Sequence, residues 1–200
     1  MRTAIFGGTF DPIHTAHLVV AREAAETFSL DRVLFIPAAN PPLKDAGANY
    51  EDRYKMVELA CAGEPRFVPS RLEDGHGSGN AKSYSIQTIE RVKAANGEVF
   101  FIIGADAFAE IGKWHRWQDV VQSVEFIVVA RPGHTFTIPP GARVHRLETV
   151  ALPVSSSEIR QALASGESPA ELPVAVAEYI RERGLYGLRV GNVDRSVETS

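Results

Sequence analysis

Cysteine is all but missing from the 200 residues; Cys61 is the only one. No intrachain disulfide framework is available, and stability has to come from a buried core. Long apolar runs are missing too. No stretch approaches the ~20 residues that cross a bilayer. The first apolar run, residues 4–6, is far too short for a signal-peptide h-region and meets glycines at once. Neither sign of charge dominates: 21 Lys and Arg against 25 Asp and Glu leave a net charge of −4, with a pI near 5.9. That balance carries no nucleic-acid footprint over the chain as a whole. Internal repeats and low-complexity tracts are absent. There is no Gly-x-x-x-x-Gly-Lys-Ser/Thr, which excludes a P-loop. Nor does Gly-x-Gly-x-x-Gly follow a strand, which disfavours ordinary dehydrogenase chemistry. A cytoplasmic protein bound to neither nucleic acid nor membrane is expected; the sequence sets no oligomeric state.

What is present is enough apolar material for a core, 44% of residues, in a length that suits one domain. Residues 4–6 and 33–36 are all-apolar runs, as expected of parallel strands covered on both faces. Further strands are predicted at 67–68, 99–103 and 126–130, with short strand material at 144–147 and 150–152. Helical patterns lie between them, with Leu18, Ala21, Ala25 and Phe28 marking the first. Others cover 51–62, the stretch with Ile86, Ile89 and Val92, and 106–111. Ser155 with Glu158 forms a capping box that opens another helix, stopped by Gly166. A last helix, 174–183, stops at Gly184. The alternation predicts an α/β fold, doubly wound around a mostly parallel sheet. One domain is expected over 1–187, with a helical C-terminal part from about 155. Residues 188–200 read as a loose tail.

The chain is organised around residues 4–20. A strand runs into Gly7-Gly8, turn chemistry continues through Thr9, Asp11 and Pro12, and a helix begins. Such a turn lets an anion approach the unpaired N–H groups at a helix start. His14 and His17, three apart, share one face of the first turn and can add donors. A zinc site is the weaker reading, because metal-binding helices usually place two histidines four apart, and no Cys or carboxylate cluster is near. The other candidates gather at strand ends, where open α/β sheets bind ligands. Ser155, Ser156 and Ser157 with Arg160 offer more donors than capping needs. Asp106 follows a strand–Gly turn at Gly104; it either caps its helix or accepts from ribose hydroxyls. Trp114, His115 and Trp117 follow that helix, and a Trp there either packs or stacks on a flat cationic ring. Asn40 and Lys44 stand on a proline-bearing loop, where a lysine is a mobile point charge. Arg131, before Pro-Gly at a strand end, is left open, and His76, His134 and His145 are assigned nothing.

Gly-Gly-Thr-Phe-Asp-Pro-Ile-His-Thr-Ala-His-Leu, from Gly7 to Leu18, resembles the signature of the nucleotidylyltransferase superfamily, in particular the bacterial nicotinate-nucleotide adenylyltransferase family. The likeness continues in order through Asn40-Pro41-Pro42-Leu43-Lys44, Ser83-Tyr84-Ser85, Ile102-Ile103-Gly104-Ala105-Asp106, Trp114, Arg131-Pro132-Gly133 and Ser155–Arg160. It ends at Tyr179-Ile180 and Gly184-Leu185-Tyr186. This resemblance implies ATP held by the backbone around Gly8, Thr9 and Phe10, by His14 and His17, by Gly104 and Asp106, and by Ser155, Ser156, Ser157 and Arg160. It implies nicotinate mononucleotide near Asn40, Lys44, Ser85 and Trp114, with the pyridine carboxylate on backbone N–H groups at Ser85 and His115. Mg²⁺ would arrive with ATP, and the protein itself would supply no metal site. The departures are Ala16 for a glycine, Leu43 for a histidine, and Ser85 and Ser157 for threonines.

The reaction implied is adenylyl transfer from ATP to nicotinate mononucleotide, with His14, His17, Lys44 and Arg160 as the catalytic donors. Two alternatives remain open. One is a related enzyme using nicotinamide mononucleotide or another phosphate acceptor. The other is a nucleotide-binding module without catalysis.

Overall fold

The computed structural model describes residues 1–39, 47–74, 85–95, 97–150 and 154–187. The elements run β1 (Arg2–Gly8), α1 (Thr15–Thr27), β2 (Arg32–Pro37), α2 (Tyr50–Cys61), β3 (Phe67–Pro69), α3 (Ser85–Ala95), β4 (Glu98–Gly104), α4 (Ala105–Ala109), α5 (Trp117–Ser123), β5 (Glu125–Ala130), β6 (Arg143–Glu148), α6 (Ser156–Ala164) and α7 (Val174–Arg183), with 3₁₀ turns at Ile111–Lys113 and Leu185–Gly187. The six described strands make one sheet in the order β3-β2-β1-β4-β5-β6. Every adjacent pair is parallel. This is the doubly wound α/β fold.

Helices on both faces explain the unbroken apolar strands. Ala4, Phe35, Phe100 and Ile102 enter one core with α1, α2, α6 and α7. Ile5, Leu34, Phe101 and Ile103 enter a second core with α3, α4 and α5. Adjacent residues of β4 thus go to opposite faces, as the period of two requires, and neither face is left wet. Each fully buried phenylalanine contributes roughly 1.5–3 kcal/mol. Phe35, Phe100 and Phe126 are all of this kind.

Chain order reverses between β1 and β4, which lie side by side at the middle of the sheet. A crevice opens at the carboxyl ends of strands at such a switch point. Gly7-Gly8 and Gly104 close those two strands. The C-terminal helices return to this region. Tyr179 of α7 donates to Asp52 of α2 at 2.7 Å, and Tyr186 reaches the turn after β1.

Two details depart from the sequence reading. The strand material expected at 150–152 does not form at Val150, which is 86% exposed. Thr149 N–H already bonds the carbonyl of Ala130, the last residue of β5, so the neighbouring strand has run out. Residues 151–153 lie outside the described residues. Helix α5 forms where no helix was predicted, and Arg116 in a left-handed conformation precedes it.

Candidate active site

The turn between β1 and α1 is tightly packed. Phe10 adopts φ 49°, a left-handed conformation that disfavours a bulky side chain by roughly 1–2 kcal/mol. Its ring is 2% exposed and meets Phe6, Phe35 and His17 at centroid distances of 5.7, 5.8 and 5.1 Å. That burial offsets the strain. It also explains Gly8, where a Cβ would lie 3.1 Å from the Phe10 ring.

Asp11 is buried and works harder than turn chemistry suggests. Its carboxylate accepts the N–H groups of Gly47 at 2.5 Å and Ala48 at 3.1 Å. It also accepts the Tyr186 hydroxyl at 2.7 Å, and the Arg160 guanidinium lies 3.6 Å away. Three separate parts of the chain therefore meet on one carboxylate. Burial and this hydrogen bond push the Tyr186 hydroxyl pKa far up, so it stays a donor.

His14 is the N-cap of α1, with extended backbone, rather than a member of the first helical turn. The two imidazoles are nevertheless adjacent, with centroids 3.8 Å apart and a 38° tilt. His17 Nδ1 accepts the His14 backbone N–H at 3.2 Å. In the neutral ring the proton then sits on Nε2. His14 is 4% exposed, and its Nδ1 is buried with no partner among the described residues. Burial lowers the pKa of His14 to about 4, against a weaker opposing pull from Glu171. Burial also drives His17 well below its ordinary value, with His14 adding to the effect. Both rings are neutral near pH 7. No acidic residue occupies the first turn of α1, so nothing on that helix competes for an anion.

Helix α6 starts beside the same turn. Ser155 caps it: its hydroxyl accepts the Glu158 N–H at 3.2 Å, and its own N–H donates to the Glu158 carboxylate at 2.8 Å. The Ser156 hydroxyl donates to the Pro12 carbonyl at 3.0 Å. Arg160 donates to the Asp11 carbonyl at 2.7 Å and to the Ser157 hydroxyl at 3.3 Å. Each of the three hydroxyls, then, has a partner within the chain. A cleft of about 600 Å³ lies next to this helix start, with Gly104, Asp106, Arg131, His134, Ser155 and Glu158 in its wall. Gly104 has no neighbour that a Cβ would touch and an ordinary φ of −69°. Nothing among the described residues calls for glycine there, and its bareness leaves backbone open to the cleft.

Residues 5–162 match the family model described as cytidylyltransferase-like. A Solibacter usitatus protein named "Probable nicotinate-nucleotide adenylyltransferase" is 57% identical over 192 residues, spanning 93% of this chain and 100% of that one. A Thermus thermophilus protein of the same name is 42% identical over 190 residues, with 93% and 100% covered. The chain belongs to the nicotinate-nucleotide adenylyltransferase family. Among solved structures, a Plasmodium falciparum nicotinic acid mononucleotide adenylyltransferase complexed with NaAD superimposes with a TM-score of 0.76 at 19% identity, covering 95% of this chain and 99% of that one. At that identity the likeness speaks for the fold.

Against this adenylyltransferase background, the predicted site residues divide. Gly8, Thr9, Phe10, His14 and His17 share the β1–α1 turn, Ser156 and Arg160 reach the same turn from α6, and Ser157 accepts from Arg160. Gly104, Asp106 and Ser155 share the cleft. Asp106 does not cap α4; Gly104 occupies the cap position, and Asp106 stands exposed in the first turn. Ser85 is the first residue of α3. Trp114 is half-buried on the second core, its ring edge-on to Phe101 at 6.0 Å. His115 is exposed beside it. These three belong to the opposite face of the sheet from the imidazole pair. Asn40 and Lys44 lie outside the described residues. Sequence reasoning treated Asp11 only as a turn residue and assigned nothing to His134. Arg53 it passed over entirely. The one available signal for Asp11 was its place inside the Gly-Gly-Thr-Phe-Asp-Pro stretch.

Proposed function

We propose that this chain transfers the adenylyl group of ATP to nicotinate mononucleotide, giving nicotinate adenine dinucleotide and pyrophosphate, as a cytoplasmic enzyme of NAD biosynthesis. The observation that carries this reading is the buried, neutral imidazole pair at the start of α1, with one ring nitrogen lacking a partner among the described residues. A polyanion supplies what that nitrogen lacks.

The 5′-phosphate of the mononucleotide attacks the α-phosphorus of ATP in line. A phosphorus–oxygen bond forms, the bond to the β-phosphate oxygen breaks, and pyrophosphate leaves. A phosphate monoester has its second pKa at ~6 and is mostly dianionic near neutrality, so no general base is needed. The protein's task is to hold two anions together and to meet charge developing on the α–β bridge. The backbone at Gly8, Thr9 and Phe10, with His14 and His17, is assigned to the triphosphate. Gly104 and Asp106 are assigned to the nucleoside across the cleft. Ser155, Ser156, Ser157 and Arg160 flank the phosphates after exchanging internal partners for oxygens of ATP. Asn40, Lys44, Ser85, Trp114 and His115 are assigned to the mononucleotide, with Lys44 lending charge to the transfer. Among the described residues no three His, Cys, Asp or Glu side chains converge on a point. Mg²⁺ carried in on the phosphates would supply charge neutralisation as pyrophosphate departs.

A side-by-side turnover assay with the acid and amide mononucleotides tests the reading, with pyrophosphate release as the signal. Faster release with the acid is expected. Preference for the amide would move the chain to a related acceptor. ATP binding with no pyrophosphate from either would make it a binding module.

A further inference from the structure

Arg53 of α2 is 1% exposed and has no ion-pair partner within 4 Å among the described residues. Its three donating nitrogens all reach main-chain carbonyls. Nη1 donates to Thr9 at 2.7 Å, Nε to Ala48 at 3.2 Å, and Nη2 to Ala39 at 3.4 Å. Thr9 lies on the β1–α1 turn. Ala39 and Ala48 lie at the two ends of the connection from β2 to α2. The same three places are gripped from other sides. Asp11 accepts the Ala48 N–H. Glu73 accepts the Ala39 N–H at 3.4 Å and the hydroxyl of Thr88, on α3, at 2.9 Å.

The plain account is that three buried carbonyls need donors and an arginine supplies them. That account leaves the choice of a cation unexplained. Taking a guanidinium out of water costs several kcal/mol, and a close carboxylate usually offsets this. Here the nearest compensation is carbonyl dipoles, with Asp11 and Glu73 acting at longer range. A planar fork reaches three acceptors at fixed angles; a lysine ammonium cannot.

We propose that Arg53 is a positioning residue for the transfer: it locks both ends of the β2–α2 connection to the triphosphate turn, so that the acceptor phosphate is presented in line. The chain Thr9–Arg53–Ala39–Glu73–Thr88 then ties the ATP side to α3, the helix that begins at Ser85. This inference rests on the adenylyl-transfer reading above. Two of the three anchors belong to the acceptor side, so the acceptor constant is the one that moves.

The test is steady-state kinetics of Arg53→Lys beside wild type, varying both substrates, at a temperature where circular dichroism shows both folded. The acceptor KM is expected to rise about tenfold or more and kcat to fall about tenfold, as misplacement by an ångström would cause. The ATP KM should stay within about threefold. A role in stability alone lowers the active fraction and hence the apparent kcat, with both KM values unchanged. That result, unaltered constants, or a rise confined to the ATP KM would each overturn the proposal. If Arg53→Lys does not fold, Glu73→Gln loosens the Ala39 anchor with the guanidinium intact, and the same criteria apply. Wild type releasing no pyrophosphate would overturn the adenylyl-transfer reading and this inference with it; an active wild type with a normal variant overturns this one only.

Discussion

The two helix starts beside the crevice are built from opposite materials. Helix α1 opens with neutral imidazoles, no carboxylate in its first turn, and a buried ring nitrogen without a partner among the described residues. Helix α6 opens with a capping box in which the Glu158 carboxylate takes both polar groups of Ser155. The Ser156 hydroxyl and Arg160 are committed to the turn before α1, and the Ser157 hydroxyl accepts from Arg160. Both ends carry the same partial positive charge from the backbone. At α1 no side-chain charge answers it, although the main chain takes two of its N–H groups: Thr15 donates to the Glu171 carbonyl at 2.8 Å and His17 to the His14 carbonyl at 3.0 Å. At α6 the Glu158 carboxylate answers it, and the helix start serves first as the brace that holds the reactive turn in place. A helix N-terminus is therefore informative about function according to what its own side chains leave unsatisfied.

The largest effect should come from stripping the open end. His17→Ala is expected to lower kcat by about 10²–10³-fold, the usual scale for losing one donor aimed at developing charge. The ATP KM should change far less. Steady-state kinetics with ATP varied at saturating mononucleotide checks this. An unchanged kcat with a raised KM would remove His17 from the transition state and make the two helix starts equivalent binding ends.

Stability against pH probes the same contrast without turnover. His14 titrates at about 4 in the folded protein and near 6.5 when unfolded. Between those values the unfolded chain holds the extra proton, so stability falls as pH drops through this window and is level above it. His17 acts in the same direction. For His14 the full loss is on the order of 3 kcal/mol. Urea midpoints at pH 7 and pH 5 should separate more in wild type than in His14→Gln. Equal separations would mean that the imidazole is not buried neutral. At α6 the Glu158 carboxyl is held below its ordinary value by the Ser155 hydroxyl and N–H. Its protonation therefore belongs to lower pH and does not blur the measurement.

Much of this division was open to reading, and the missing part is of one kind. Strands buried on both faces write themselves as unbroken apolar runs, so residues 33–36 and 99–103 stood out. Local punctuation marked helix ends: Ser155 with Glu158 capped α6, and Gly184, at φ 60°, stopped α7. Helix α5 carried no such mark, because a left-handed Arg116 rather than a capping side chain precedes it. The bracing was illegible for a deeper reason. Asp11 meets Gly47 and Tyr186, and Arg53 meets Thr9, across 36, 175 and 44 residues of chain. Pairings at that separation leave no periodicity. Ser156 read as a spare donor because its partner, the Pro12 carbonyl, stands 144 residues away in the chain and could not be placed beside it.

The smallest test acts on the closed end and asks whether closure is what distinguishes it. Glu158→Gln keeps the shape of the capping box, since an amide oxygen can still accept from Ser155, but it removes a negative charge from the cleft wall. If α6 is held back from anions chiefly by that charge, the ATP KM should fall roughly twofold at low salt and return toward wild type as added salt screens the change. The kcat should hold, because the imidazole pair is untouched. An ATP KM that stays put at every salt concentration would show that the committed hydroxyls, rather than the carboxylate, keep this helix start closed. The contrast between the two ends would then rest on hydrogen-bond partners alone.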